Sequence, residues 1–185
     1  MKYKLTENKK TTGSITLYQI EALKDFSNVK KGDLGGWIEK ESNLSQQGNC
    51  WVYDDASVFD SARVFGAAEV FGNARVFGGA SVYGAAMVFG DVWVYGSARV
   101  SGRARVFDNA CVYGSAMVYD DASVYGAASV FGGAWVFGGA SVYGAAEVYD
   151  DAAVYDDAKV FDSARVFGDA EVFGNARVYG DTIID

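Results

Sequence analysis

Glu171-Val172-Phe173-Gly174-Asn175-Ala176 is one copy of the six-residue unit that decides the fold of this protein, and Ser57-Val58-Phe59-Asp60-Ser61-Ala62 is another. A valine falls on every sixth residue from Val52 to Val178, 22 times, with no insertion or deletion. In an extended segment such as Ala74-Arg75-Val76-Phe77 alternate side chains face opposite ways, so Ala and Val share one face and Arg and Phe the other. The variable slot before each valine holds Arg63, Glu69, Arg75, Arg99, Arg105, Glu147, Lys159, Arg165, Glu171 and Arg177. Such charged residues are almost never buried unpaired, so Ala and Val are expected to point inward, and the variable residue and the aromatic outward.

Gly or Asp followed by a small residue supplies the corner between units, where backbone angles closed to bulky side chains are often required. Three such sides close a triangle of eighteen residues, and the 22 valines make a little over seven coils. At about 4.8 Å per coil the prism is roughly 35 Å long. A narrow interior suits columns of Val and Ala and has no room for three large aromatics per coil. Proline is absent, which favours an unbroken parallel ladder. The expectation is an all-β protein: a single-stranded parallel β-helix, a triangular hexapeptide-repeat solenoid, with a small β cap ahead of it.

That cap is expected over residues 1–50, with the repeat over 51–185. Lys2 to Leu5 and Ile15 to Leu23 alternate apolar and polar residues around a loop containing Lys and Gly, the pattern of a β-hairpin. Asp25 to Gly36 is rich in turn residues. Trp37-Ile38 foreshadows Trp51-Val52, and Leu44 lies six residues after Ile38. From Leu44 to Val52 is eight residues, an excess of two that a wider corner at Gln46 to Asn49 would absorb. Solenoids need covered ends, because a bare coil exposes a sheet edge. At the other end Thr182 takes an Ala slot and Ile184 a Val slot, so the chain is still winding where it stops and tail-to-tail or lateral association is expected.

Composition narrows the function classes. The net charge of −8 divides into +2 over residues 1–50 and −10 over residues 51–185. So acidic a solenoid is a poor direct nucleic-acid binder, since phosphate contacts need clustered Lys and Arg. It could instead imitate a nucleic acid with its acidic corners. Gly, Asp or a charged residue interrupts every unit, so no run reaches the roughly 18 apolar residues of a membrane span. No apolar leader follows Met1-Lys2-Tyr3-Lys4, and a cytoplasmic location is the expectation. Cys50 falls in an Ala slot and Cys111 in an outward slot, so they should not meet in a disulfide.

The unit resembles the hexapeptide repeat of left-handed β-helix proteins. Asp33-Leu34-Gly35-Gly36-Trp37-Ile38-Glu39 and Asn43-Leu44-Ser45-Gln46-Gln47-Gly48-Asn49-Cys50-Trp51-Val52-Tyr53 resemble the N-terminal portion of the YdcK-like proteins of bacteria and prophages. The resemblance implies a left-handed helix of the trimeric LpxA-like superfamily, a group whose transferase label rests on analogy of fold. Hexapeptide-repeat acyltransferases typically use a histidine as base, and the carbonic anhydrases of this fold hold zinc with three. This chain has no histidine, so no catalytic, cofactor-binding or metal residue carries over, and no cofactor is expected.

Two patterns remain as candidates. Of the 22 residues that follow the repeat valines, 21 are Phe or Tyr, the exception being Ser101 in Ser101-Gly102-Arg103. They should stack into three ladders, which stabilises the coils as cross-strand aromatic pairs do. They also leave three faces apolar, and monomers rarely expose patches beyond a few hundred Å². Trp51, Trp93, Trp135, Phe137, Tyr119, Tyr155, Ile183 and Ile184 are accordingly the candidate interface residues, with another copy or a protein partner as what covers them. The second pattern is acidic: corner carboxylates such as Asp54-Asp55, Asp120-Asp121 and Asp150-Asp151 could hold Ca²⁺ if stacked, whereas Asp is also an ordinary turn residue. Three function classes follow. The first is a non-catalytic structural or interaction solenoid, the second an acyltransferase-like enzyme acting at a trimer interface, and the third an acidic DNA mimic.

Overall fold

The computed structural model describes all of residues 1–185. The repeat winds as a three-sided parallel β-solenoid whose strands lie in sheets of 11, 8 and 7. Consecutive strands belong to different sheets, so the chain returns to each sheet every third strand and pairs one coil on: Trp93 lies beside Cys111 and Val94 beside Val112. There is no α-helix, only a single 3-10 turn at Glu41–Asn43. The core is the expected set of Val and Ala columns, fully buried along almost the whole prism, with Cys50 and Val92 standing in Ala slots.

The corners show why Gly and Asp alternate at one position. In Tyr95-Gly96-Ser97-Ala98 the Ala98 N–H donates back to the Tyr95 carbonyl (3.4 Å), and the Ser97 N–H donates to the Gly114 carbonyl of the next coil (2.6 Å). The turn places Gly96 at φ 71°, a left-handed conformation that disfavours L side chains. Asp54, Asp60, Asp108, Asp120, Asp150, Asp156 and Asp162 adopt the same conformation, with φ between 50° and 62°. Their side chains run along the prism axis: the N–H of Gly72 donates to Asp54 Oδ2 (3.1 Å), and that of Gly78 to Asp60 Oδ2 (3.2 Å). Gly126, Gly174 and Gly180 donate likewise to Asp108, Asp156 and Asp162. A short polar side chain thus offsets the strain of the left-handed corner with a charge-assisted hydrogen bond.

Three strands make the cap: β1 (Tyr3–Thr12), β2 (Ile15–Ala22) and β3 (Leu34–Ile38). The first two form an antiparallel hairpin and β3 pairs antiparallel to β2. Beyond them, β4 (Trp51–Val52) and β5 (Ser57–Val58) open the solenoid. β3 pairs parallel to β5, with Trp37 beside Ser57 and Ile38 beside Val58, so the hairpin is continuous with the 11-stranded sheet. Leu44 bridges Val64. Both partners lie twenty residues on, two more than in the coils that follow. The excess sits where the wider corner was expected, because Gly48 takes φ 69° and the N–H groups of Asn49 and Cys50 both donate to the Gly66 carbonyl.

Two glycines let β3 lie flat on the first coil. A Cβ on Gly35 would come within 2.6 Å of the Val52 carbonyl oxygen, and one on Gly36 within 2.7 Å of both the Ala56 carbonyl oxygen and Val52 Cγ1. Below β3 the core ends on a buried cation. Lys2 is 1% exposed; its Nζ donates to the Cys50 carbonyl (2.8 Å), to Cys50 Sγ (3.2 Å) and to the Gly48 carbonyl (3.4 Å), and it lies 5.2 Å from the centre of the Phe26 ring. Burial pushes its pKa down, with Cys50 opposing. The ammonium thereby satisfies carbonyls of the turn that leads into the first coil.

Candidate functional site

The outward aromatics form three ladders that run up the prism. From Phe71 onward neighbouring rings stack nearly parallel at 4.7 to 5.4 Å, as in Phe71 on Phe89 (4.7 Å, 1°) and Phe161 on Tyr179 (5.4 Å, 17°). Strand spacing sets that distance, and it is comfortable for stacked rings. The cap end differs: Tyr53 meets Phe71 edge-on at 6.4 Å, and its hydroxyl donates to Glu69 Oε1 (3.3 Å). Burial, and then the neighbouring Glu69 carboxylate, push the Tyr53 pKa up to about 12.

Arginines of the variable slot lie across the rings. Arg105 is 5.4 Å from the centre of Phe107 in its own coil and 5.7 Å from Phe89 in the coil before. Arg165 bridges Tyr149 (5.4 Å) and Phe167 (5.8 Å) in the same way. Arg75 covers Phe59 and Trp93, and Arg63 and Arg177 each cover one ring. Charge and aromatic slots are therefore one interlocked surface, with each contact contributing about 0.5–1 kcal/mol at exposed sites. The sequence pattern contained both columns, but only the one-coil offset shows that guanidinium and ring meet.

The candidate interface residues divide unequally over this surface. Tyr119, Phe137 and Tyr155 are successive rungs of the third ladder, 4.9 and 5.0 Å apart. Trp135 lies on the same 7-stranded face between Met117 and Ala153 and is 45% exposed. Trp93 is equally open at 44% but belongs to the 11-stranded face, where it stands edge-on to Phe77. Ile183 and Ile184 lie on that face too, paired with Arg165 and Val166; Ile183 is exposed and Ile184 half-buried.

Trp51 is a correction. Its ring does leave the coil on the outer side, but it is only 1% exposed, because Tyr3 (6.1 Å) and Phe26 (5.3 Å) pack edge-on against it. What covers Trp51 is the protein's own cap, and it is not a surface for a partner. A tryptophan inside a repeat slot carries no mark of that: the signal lay far off in sequence, in Tyr3 of the hairpin and in Phe26 within a segment that looks like turn.

The acidic corners do not gather. No three acidic side chains come together as a metal site would need, and within each column of left-handed corners no Asp stands directly above another. Each of the seven has Gly one coil on. Two carboxylates stacked about 5 Å apart would repel by about 1 kcal/mol even in water. The seven left-handed carboxylates therefore stand singly, and five of them accept a backbone N–H; at the next corner position Asp169 does lie one coil on from Asp151, without a third acidic group beside them. Arg103 and Asp121 pair through two bonds of 2.7 Å, which holds the Asp121 carboxyl below and the Arg103 guanidinium above their ordinary pKa values. Cys50 and Cys111 are both free thiols.

Residues 98–114, the segment that contains Ser101-Gly102-Arg103, match the family described as the YdcK beta solenoid repeat. That match spans one segment of the prism, a little short of one coil. A 61-residue stretch is also 43% identical to the protein named "Uncharacterized acetyltransferase YdcK" of Escherichia coli (strain K12). That likeness covers 29% of this chain and 19% of the E. coli protein, so the chain spans only about a fifth of that relative's length. The YdcK repeat and the parallel three-sided winding agree: this is a β-solenoid repeat protein related to a protein named as an acetyltransferase. No helix is long and apolar enough to cross a membrane.

Proposed function

We propose that this solenoid is a non-catalytic interaction scaffold whose aromatic faces bind a second copy or a protein partner. The observation that carries the reading is the 7-stranded face, where Trp135 stands open beside the continuous rungs Tyr119, Phe137 and Tyr155. Half-exposed rings held rigidly in register lose little conformational freedom when covered, which favours association. Tight corners without inserted loops leave the faces flat, a shape suited to another flat surface.

Light scattering over a concentration series tests the proposal. A stable oligomer is expected for the wild type, and Phe137→Lys should dissociate it while the circular dichroism of the coils persists. Assembly that survives charge insertion on all three faces would sink the idea.

A second reading comes from the name of the E. coli relative: an acetyl transfer carried out between subunits of a trimer. It needs a general base other than histidine, which this chain lacks, and a groove formed between copies. Calorimetric titration with acetyl-CoA separates the two, since the scaffold reading expects no heat of binding.

A further inference from the structure

The third aromatic ladder has one missing rung. Phe65 stacks on Tyr83 at 4.8 Å and Tyr119 on Phe137 at 4.9 Å, but between Tyr83 and Tyr119 the position belongs to Ser101. The two tyrosines are two strand spacings apart, about 9.6 Å. The result is a notch of about 290 Å³ lined by Tyr83, Arg99, Ser101, Met117 and Tyr119. A planar ring inserted there would lie about 4.8 Å from each tyrosine, within the 4.7 to 5.4 Å of the stacked rungs.

Arg99 supplies the second observation. In the variable slot Arg63, Arg75, Arg105, Arg165 and Arg177 all lie over at least one ring within 5.8 Å. Arg99 lies over none and has no carboxylate partner either; its own coil offers Ser101 where the others offer Phe or Tyr. Of the two guanidiniums that follow in sequence, that of Arg103 is already held by Asp121 and that of Arg105 lies across Phe89 and Phe107. The notch therefore combines two parallel π-faces with an uncommitted cation at its rim.

We propose that the Ser101 notch binds a small aromatic acid. Its single planar ring takes the place of the missing rung between Tyr83 and Tyr119, and its carboxylate meets the Arg99 guanidinium. Ser101 forms the floor, and the two-strand separation of Tyr83 and Tyr119 admits a single ring thickness. This site stands independently of the scaffold reading, since it needs neither a second copy nor a partner.

The experiment is an NMR titration of the intact protein with benzoate and, in parallel, with cyclohexanecarboxylate, which has the charge without the flat ring. For benzoate, saturable upfield shifts of its ring protons are expected, as stacking between two tyrosines requires. Cyclohexanecarboxylate should bind about tenfold more weakly or not at all, and Arg99→Ala should weaken benzoate about tenfold. Ser101→Phe completes the ladder and should abolish benzoate binding; Ser101→Tyr serves as the second filled variant, with circular dichroism confirming that the coils persist in each. Equal binding of the two acids, or benzoate shifts unchanged in both filled variants, would overturn the assignment.

Discussion

At the residue scale the corner position is the most informative, because it asks one residue to satisfy both a left-handed backbone and a neighbouring donor. Gly meets the first demand, while Asp meets the second at some cost to the first. Asp60→Ala keeps the strained conformation, φ 56°, and removes the acceptor for the Gly78 N–H. It should destabilise by about 1–2 kcal/mol, whereas Asp60→Asn, which keeps an acceptor oxygen and tolerates the same angles, should stay within about 0.5 kcal/mol of wild type. Urea midpoints of the two variants check the contrast. The choice of Gly or Asp at corners was visible in the repeat; that an Asp answers a Gly one coil above it was not, since the pair is eighteen residues apart.

At the element scale the cap and the first coil are joined by close backbone contact at β3. Gly36→Ala should destabilise by about 1–3 kcal/mol, because its Cβ would have to displace the Ala56 carbonyl or Val52. Chemical denaturation checks it, with Trp51 fluorescence reporting whether the cap loosens first. Lys2 makes a pH-dependent prediction. Its pKa is lowered on folding from 10.5, so the unfolded chain binds the proton more tightly and stability attributable to Lys2 rises as pH climbs from the lowered value towards 10.5. The neutral amine still donates to the Cys50 carbonyl without the desolvation cost. Relative to Lys2→Met, the wild type should therefore gain stability with rising pH in that window. Denaturation of the two proteins at a series of pH values up to 10 shows it as a widening gap. The hairpin of the cap was legible from alternation in β1 and β2. The burial of Lys2 was not, because a lysine next to Met1 looks like solvent-exposed chain until the carbonyls of Gly48 and Cys50 are brought over it.

At the scale of the whole molecule the ladders make stability sensitive to alkali. Burial raises the pKa of Tyr95, Tyr113, Tyr119 and Tyr125, and Tyr53 is pushed up to about 12. An unfolded chain releases these protons near 10.0, whereas the folded ladders hold them. The stability is complete below pH 10 and declines as pH rises through the folded values. Tyrosinate absorbance should thus lag behind that of free tyrosine and then appear cooperatively with loss of the β-sheet signal. Tyr53→Phe, which removes the most shifted phenol of the ladders, should delay the onset. An absorbance titration followed in parallel by circular dichroism distinguishes this from independent, uncoupled ionisation.

What the sequence by itself determined was the winding. A strict period of six, with Val and Ala on one side of every strand and charge on the other, admits one arrangement that buries no lone charge, and the Val and Ala columns follow it coil after coil. The exception at Ser101 was equally plain as a departure from the repeat. Tertiary structure alone decided what each outward residue meets. Trp51 and Trp135 occupy the same slot of the repeat, yet Tyr3 and Phe26 cover the first and leave the second open. Arg99 and Arg177 each have an aromatic ring one coil before them, Tyr83 and Phe161, yet Arg177 lies over that ring and Arg99 over none. A six-residue repeat sets which way a side chain points; neighbours one coil away, and the cap folded over the first coil, set whether it finds a partner there.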